Sequence, residues 1–101
     1  MHYTVPVGYQ KIDPIIQDWA DKHKLRVYTS YQDYEVRSVD VVDQKGRKYQ
    51  IWIDSPDQFG NVGVHAWDYK RRRKDYMVST NDLRGCLEEA YNTVLLWIQT
   101  N

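Results

Sequence analysis

Between Leu25 and Ser79 the dominant recurrence of β-branched and aromatic side chains is every second position, whereas the segments on either side repeat every third or fourth. A strand buries alternate residues and a helix buries a stripe of period 3.6, so this switch of period predicts a helix, then strands, then a helix. Asp13 followed by Pro14 suits a helix start, as an N-cap with proline at the first helical position. Ile15, Ile16, Trp19 and Ala20 then form one face against Gln17, Asp18, Asp21 and Lys22, ending near Lys24. The last helix is defined by Leu83, Leu87, Ala90, Val94 and Ile98, widened by Cys86, Leu95 and Trp97, with Ser79 or Thr80 as its expected cap.

The middle of the chain divides into expected strands at 25–30, 34–42, 47–54, 62–70 and 75–79. Asp43-Gln44-Lys45-Gly46 reads as a turn, residues 55–61 as a longer loop, and the basic run after the fourth strand as its link to the fifth. Short connections imply antiparallel neighbours. The expectation is one α+β domain over residues 1–101, in two layers. An N-terminal helix, an antiparallel meander of four to five strands and a C-terminal helix follow in order, with both helices on one sheet face.

Composition narrows function more than fold. Hydrophobic residues make up 42% and charged residues 28%, which argues against disorder and coiled coil. Fourteen Lys and Arg balance fourteen Asp and Glu, so any electrostatic role must come from local clustering. The single Cys86 cannot form an intramolecular disulfide, and no N-terminal apolar run suggests a signal peptide or membrane span; a cytoplasmic location and no membrane partner are the expectations. Nine Tyr against one Phe tilts the aromatic set towards surfaces that need both an apolar body and a polar handle.

The stretch Val62–Lys74, VGVHAWDYKRRRK, concentrates the candidate site. Alternation puts Val62, Val64 and Ala66 on one face and His65, Trp67 and Tyr69 on the other. Trp52 joins the second group if Ile51 and Ile53 point to the helices. A meander also brings Lys45, Arg47 and Lys48 to the same end of the sheet as Lys70, Arg71, Arg72, Arg73 and Lys74. The expected binding residues are therefore Trp52, His65, Trp67, Tyr69 and the run from Lys70 to Lys74. Aromatic residues with Arg are over-represented at protein-binding hot spots, and the same pairing lets single-stranded nucleic acid stack and hold its phosphates. A register one residue off would instead send the aromatics into the core.

Catalytic readings have less to work with. Pro56-Asp57 followed by Asp68-Tyr69-Lys70 resembles the Pro-Asp then Asp/Glu-x-Lys motif of restriction-endonuclease-like nucleases. That resemblance implies a divalent metal held by the two carboxylates and a lysine assisting water attack. An extended strand between them would place Asp57 and Asp68 on the order of 20 Å apart, too far to share an ion. His2, His23 and His65 show no ligand spacing with Cys86, and Cys86 falls beside an apolar stripe, so neither a metal nor a cofactor is expected. Gly60-Asn61-Val62-Gly63 lacks the strand-to-helix context of a phosphate loop. The expected function is a small non-catalytic binding or regulatory domain that engages a protein through an aromatic sheet face and a basic hairpin tip. Bacterial inhibitor and immunity proteins have this size and character. Single-stranded nucleic-acid binding, a metal-dependent nuclease and self-association as a homodimer are the alternatives.

Overall fold

The computed structural model describes residues 8–101; the reading that involves His2 lies outside them. A short 3-10 turn, Gly8–Lys11, leads into helix α1, Asp13–Lys22. Five strands follow: β1 Tyr28–Tyr31, β2 Tyr34–Val42, β3 Lys48–Ile53, β4 Asn61–Trp67 and β5 Arg73–Ser79. A second 3-10 turn, Thr80–Asp82, opens helix α2, Leu83–Thr100. Every strand pairs antiparallel with its neighbours in chain order, giving a five-stranded meander β1-β2-β3-β4-β5.

Alternation sorts the two faces as expected. Val39, Val41, Tyr49, Ile51, Ile53, Val62, Val64 and Ala66 are all buried, and they meet Ile16, Trp19 and Ala20 of α1 and Leu83, Cys86, Leu87, Ala90 and Val94 of α2. Helix α2 runs across β3, β4 and β5 and packs against α1. Burying a side chain such as Leu87 or Ile51 removes about 1.5–3 kcal/mol worth of apolar surface from water, so this one-sided core anchors both helices to a single face. No described helix is long and apolar enough to cross a membrane.

Both helix starts differ from expectation. Asp13 is the first helical residue, after an Ile12 cap, and its carboxylate turns away to grip Arg37 of β2 at 2.7 and 3.0 Å. Arg37 is the one buried charged residue among those described, so an ion pair has taken the side chain that a cap would have used. At the other end, Lys24 adopts φ 58. Its N–H donates to Asp21 O at 3.1 Å and that of Leu25 to Ala20 O at 2.8 Å, a Schellman closure with lysine where glycine is usual. Ser79 ends β5 instead of capping α2, and Thr80 bonds Gly60 O through both its N–H and its hydroxyl. Leu95 is 37% exposed, outside the packed stripe.

Three hairpin turns repeat one device. Asp43, Asp57 and Asp68 each donate their N–H to the carbonyl four residues on, at 3.0, 2.9 and 3.0 Å. Each also accepts, on one carboxylate oxygen, the N–H groups two and four residues ahead. Gly46 and Gly60 close the first two turns at φ 80 and φ 81, a left-handed geometry that glycine adopts without penalty. The third turn has no glycine, and its left-handed residue is Tyr69, φ 65, one position after the aspartate where the glycines stand three positions after theirs. This turn also shortens β4 and lengthens β5 relative to expectation. Arg73 and Lys74 are paired in the β5 ladder, opposite Trp67 and Ala66, so residues 68–72 alone form the connection.

Candidate functional site

The sheet face turned away from the helices carries two cross-strand rows. Ser38, Trp52, His65 and Asp75 lie side by side on β2 to β5, and Asp40, Gln50, Trp67 and Arg73 form the next row. Trp52 and Trp67 are half-buried and Tyr69 is 40% exposed, so no core claims these rings. Opposing aromatic side chains on neighbouring strands are close enough to stack. Trp52 stacks on His65 with centroids 4.6 Å apart and planes 20° apart, and Trp67 meets Tyr69 at 4.6 Å. Arg73 reaches across β4 to place its guanidinium 5.1 Å from the Trp52 centroid.

His65 sits between two carboxylates. Nδ1 is 2.6 Å from Asp75 Oδ1 and Nε2 is 2.7 Å from Asp54 Oδ2. Both ring nitrogens of His65 are thus within hydrogen-bond distance of a carboxylate oxygen. Asp75 also accepts from Arg73 Nε at 2.9 Å. The His65 hydrogen bond, then that from Arg73, holds the Asp75 carboxyl below the usual carboxylate range. The two carboxylates face opposite edges of the ring and do not converge on a common point, and no group of three potential ligands suited to a metal occurs among the described residues. Among the described residues no hydroxyl or thiol is hydrogen-bonded to His65, and Cys86 is buried in the helical layer, its thiol pushed up to about 11 by burial and then by Glu89.

Beside these rows a groove of about 770 Å³ opens along the sheet. Tyr28 and Tyr31 of the β1–β2 hairpin line it together with Trp52, Trp67 and Tyr69. Ser38, Asp40 and Gln50 also line it, as does Tyr9, whose hydroxyl donates to Ile53 O at 3.1 Å. Tyr69 donates its hydroxyl to Asp40 Oδ1 at 2.9 Å. Burial, then that bond to a carboxylate, pushes the Tyr69 phenol up to about 12, which keeps it a donor at neutral pH. A second cleft of about 290 Å³ adjoins through Tyr69, which lines both, and is bordered by Arg47, Lys48 and Lys70 at the hairpin tips.

The structure therefore gathers Trp52, His65, Trp67, Tyr69 and Arg73 on one face and leaves Lys70 and Arg71 exposed at the tip. It separates Arg72 and Lys74 from them. Arg72 points to the helical side, bonding Asp68 Oδ2 at 3.3 Å and Trp97 O at 3.3 Å, and Lys74 lies 5.3 Å from the Tyr76 ring. Arg47 is likewise held by Asp43 at 2.7 Å. Alternation along β5 splits the basic run, so it is not one continuous patch. Asp57 and Asp68 stand at opposite ends of β4, each turned onto its own hairpin.

Asp40, Asp54, Asp75, Gly63 and Tyr28 belong to this surface and were not anticipated. Their only trace in the sequence is parity: Asp54 stands two residues after Trp52, and Asp75 two after Arg73. Recognising them takes the strand register. No protein-family model matches the chain, and neither a curated protein nor a solved structure matches it.

Proposed function

We propose that this protein is a non-catalytic binding domain whose open sheet face engages a protein partner, with the hairpin tips at its margin adding basic contacts. The observation that carries this reading is the aromatic groove itself. Trp52, Trp67 and Tyr69 stand beside one another on a face that no described helix covers, next to Arg73. Trp, Tyr and Arg anchors within a rim of polar groups are the residues that dominate protein-binding energetics. The volume of the groove, about 770 Å³, falls within the roughly 300–1,000 Å³ range of binding clefts.

Charge favours a protein over a polyanion. Glu35, Asp40 and Asp54 line the groove, while Lys48 and Lys70 border the adjoining cleft. A surface that presents both signs suits a partner that carries both, and the carboxylates would repel the phosphates of single-stranded nucleic acid. An inhibitor-like or immunity-like role, in which a small domain covers a functional surface on its target, is consistent with this arrangement. The same face pairing with a second copy would give a homodimer.

Site-specific photocrosslinking tests the reading. Benzoylphenylalanine placed at position 67 on the open face, or at exposed position 92 on α2, is activated in cells of the source organism. A discrete heteromeric adduct from position 67 that disappears with Trp52→Glu, with none from position 92, is the expected result. Equal labelling from both positions, or no adduct from position 67, would remove the face as an interface. An adduct at twice the chain mass would assign it to self-association.

A further inference from the structure

We infer that the groove on the open sheet face recognises a cationic side chain of the partner, lysine or arginine, with Asp40 as its counter-ion beside the rings of Trp67 and Tyr69. This rests on the reading of that face as a protein-binding surface and adds the chemistry of what it takes.

The charges around the groove are unevenly paired. Among the residues lining it, the carboxylates are Glu35, Asp40 and Asp54 and the only permanent cation is Arg37. Arg37 is already engaged with Asp13 at 2.7 Å and Glu35 at 3.2 Å, and is buried. Asp54 holds His65. Two further guanidiniums lie over aromatic rings of the groove, Arg26 over Tyr28 at 4.9 Å and Arg73 over Trp52 at 5.1 Å with Asp75 as its ion-pair partner, and neither is paired with Asp40. Asp40 is left with one hydrogen bond, from the Tyr69 hydroxyl to Oδ1, and no ion pair among the described residues. Its second oxygen is free to accept.

The surroundings of that carboxylate are suited to a cation. Asp40 shares the groove with Tyr28, Trp67 and Tyr69, and it is itself half-buried. Aromatic faces attract an ammonium or guanidinium through their quadrupole, and the attraction grows as water is displaced. A carboxylate at the same point adds a charge-assisted hydrogen bond. The aliphatic stem of lysine or arginine can lie along the indole and phenol rings while its head reaches Asp40. An anionic or purely apolar occupant would leave that carboxylate desolvated without a counter-ion, an unfavourable outcome.

The capped peptide acetyl-Lys-Lys-Lys-amide is the direct probe, with acetyl-Glu-Glu-Glu-amide and a twelve-nucleotide oligothymidylate as comparators. The indole N–H resonances of Trp52 and Trp67 in the full chain report occupancy. Saturable movement of both resonances by trilysine at constant ionic strength, weakened tenfold or more by Asp40→Asn and unchanged by Asp21→Asn on α1, is the expected result. Trp67→Leu, which removes a ring without touching the charge, should weaken binding several-fold and serves as the test if the Asp40 variant folds poorly. Unmoved indoles, equal binding to Asp40→Asn, or preference for triglutamate or oligothymidylate would each overturn the inference. Movement on raising the protein concentration alone would identify a second copy as the occupant and overturn it as well. Loss of trilysine binding while position 67 still crosslinks to a partner would reject the cation and keep the face. Failure of that crosslink would reject the face.

Discussion

Just past the end of the β3–β4 ladder the Asp54 N–H donates to Gly63 O at 2.8 Å, and a Cβ at position 63 would stand 2.5 Å from Asp54 Oδ2 and 3.1 Å from His65 Nε2. The missing side chain is what lets the Asp54 carboxylate lie over Gly63 and reach His65 of β4. The colliding atoms are the ends of side chains, so Gly63→Ala should leave the fold intact and move Asp54 aside. A side-chain hydrogen bond of this kind contributes about 0.5–1.5 kcal/mol net, and a change of that size is expected. A double-mutant cycle checks it: the cost of Gly63→Ala should largely vanish in an Asp54→Ala background. An undiminished cost would mean that β4 itself is strained.

Asp68 pins the third hairpin without help from a glycine. Its carboxylate accepts two backbone N–H groups and the Arg72 guanidinium while only 9% exposed. Asp68→Ala should cost about 1–3 kcal/mol, since it removes the charged acceptor of two backbone N–H groups and a guanidinium. For a domain of this size that lowers Tm by roughly 4–8 °C per kcal/mol in a thermal scan. Chemical-shift changes should concentrate at residues 68–73 and in neighbouring Trp97. A Tm unchanged within error would show the turn to be held by its backbone alone.

Stability should fall on the acid side. Asp43, Asp68, Asp75 and Glu88 all sit below their usual range in the folded chain. Burial acts to raise Asp43 and Asp68, but the N–H groups and guanidinium of their turns outweigh it. Glu88 is lowered first by the His23 hydrogen bond and also by that from Lys22. A carboxyl with a depressed folded pKa contributes stability that is complete above its unfolded value, about 4, and is lost as pH falls through the folded value. Urea midpoints should therefore decline below about pH 4. The gap between the native chain and Asp68→Asn should narrow from pH 6 to pH 3; a constant gap would show that Asp68 does not titrate with unfolding.

Lys24 offers a gain. It holds a left-handed backbone at the end of α1, where a Cβ costs roughly 1–2 kcal/mol, partly offset by the greater unfolded-state freedom of glycine. Lys24→Gly should stabilise by about 0.5–1 kcal/mol. Lys24→Ala should not. Equal midpoints for the two variants in urea unfolding would refute the strain.

The strand faces were legible because β4 alternates cleanly. Val62, Val64 and Ala66 go to the core, and His65 and Trp67 to the open side, by parity alone. The helices were legible because their stripes are long and one-sided. Caps and turn ends were not. Asp13 looks like a cap until Arg37, 24 residues away, takes its carboxylate. The basic run looks like a patch until β5 begins at Arg73 and sends neighbouring side chains to opposite faces.

Local periodicity and turn chemistry by themselves determined two helices, an antiparallel meander and the identity of the aromatic face, because side-chain alternation is a property of each strand taken alone. Tertiary structure alone decided which charges meet. Asp54 and Asp75 on either side of His65, Tyr69 reaching Asp40, and Gly63 making room are relations across strands set by register and by where each turn closes. Residues 29 positions apart in the chain become hydrogen-bond partners only when the sheet brings them together.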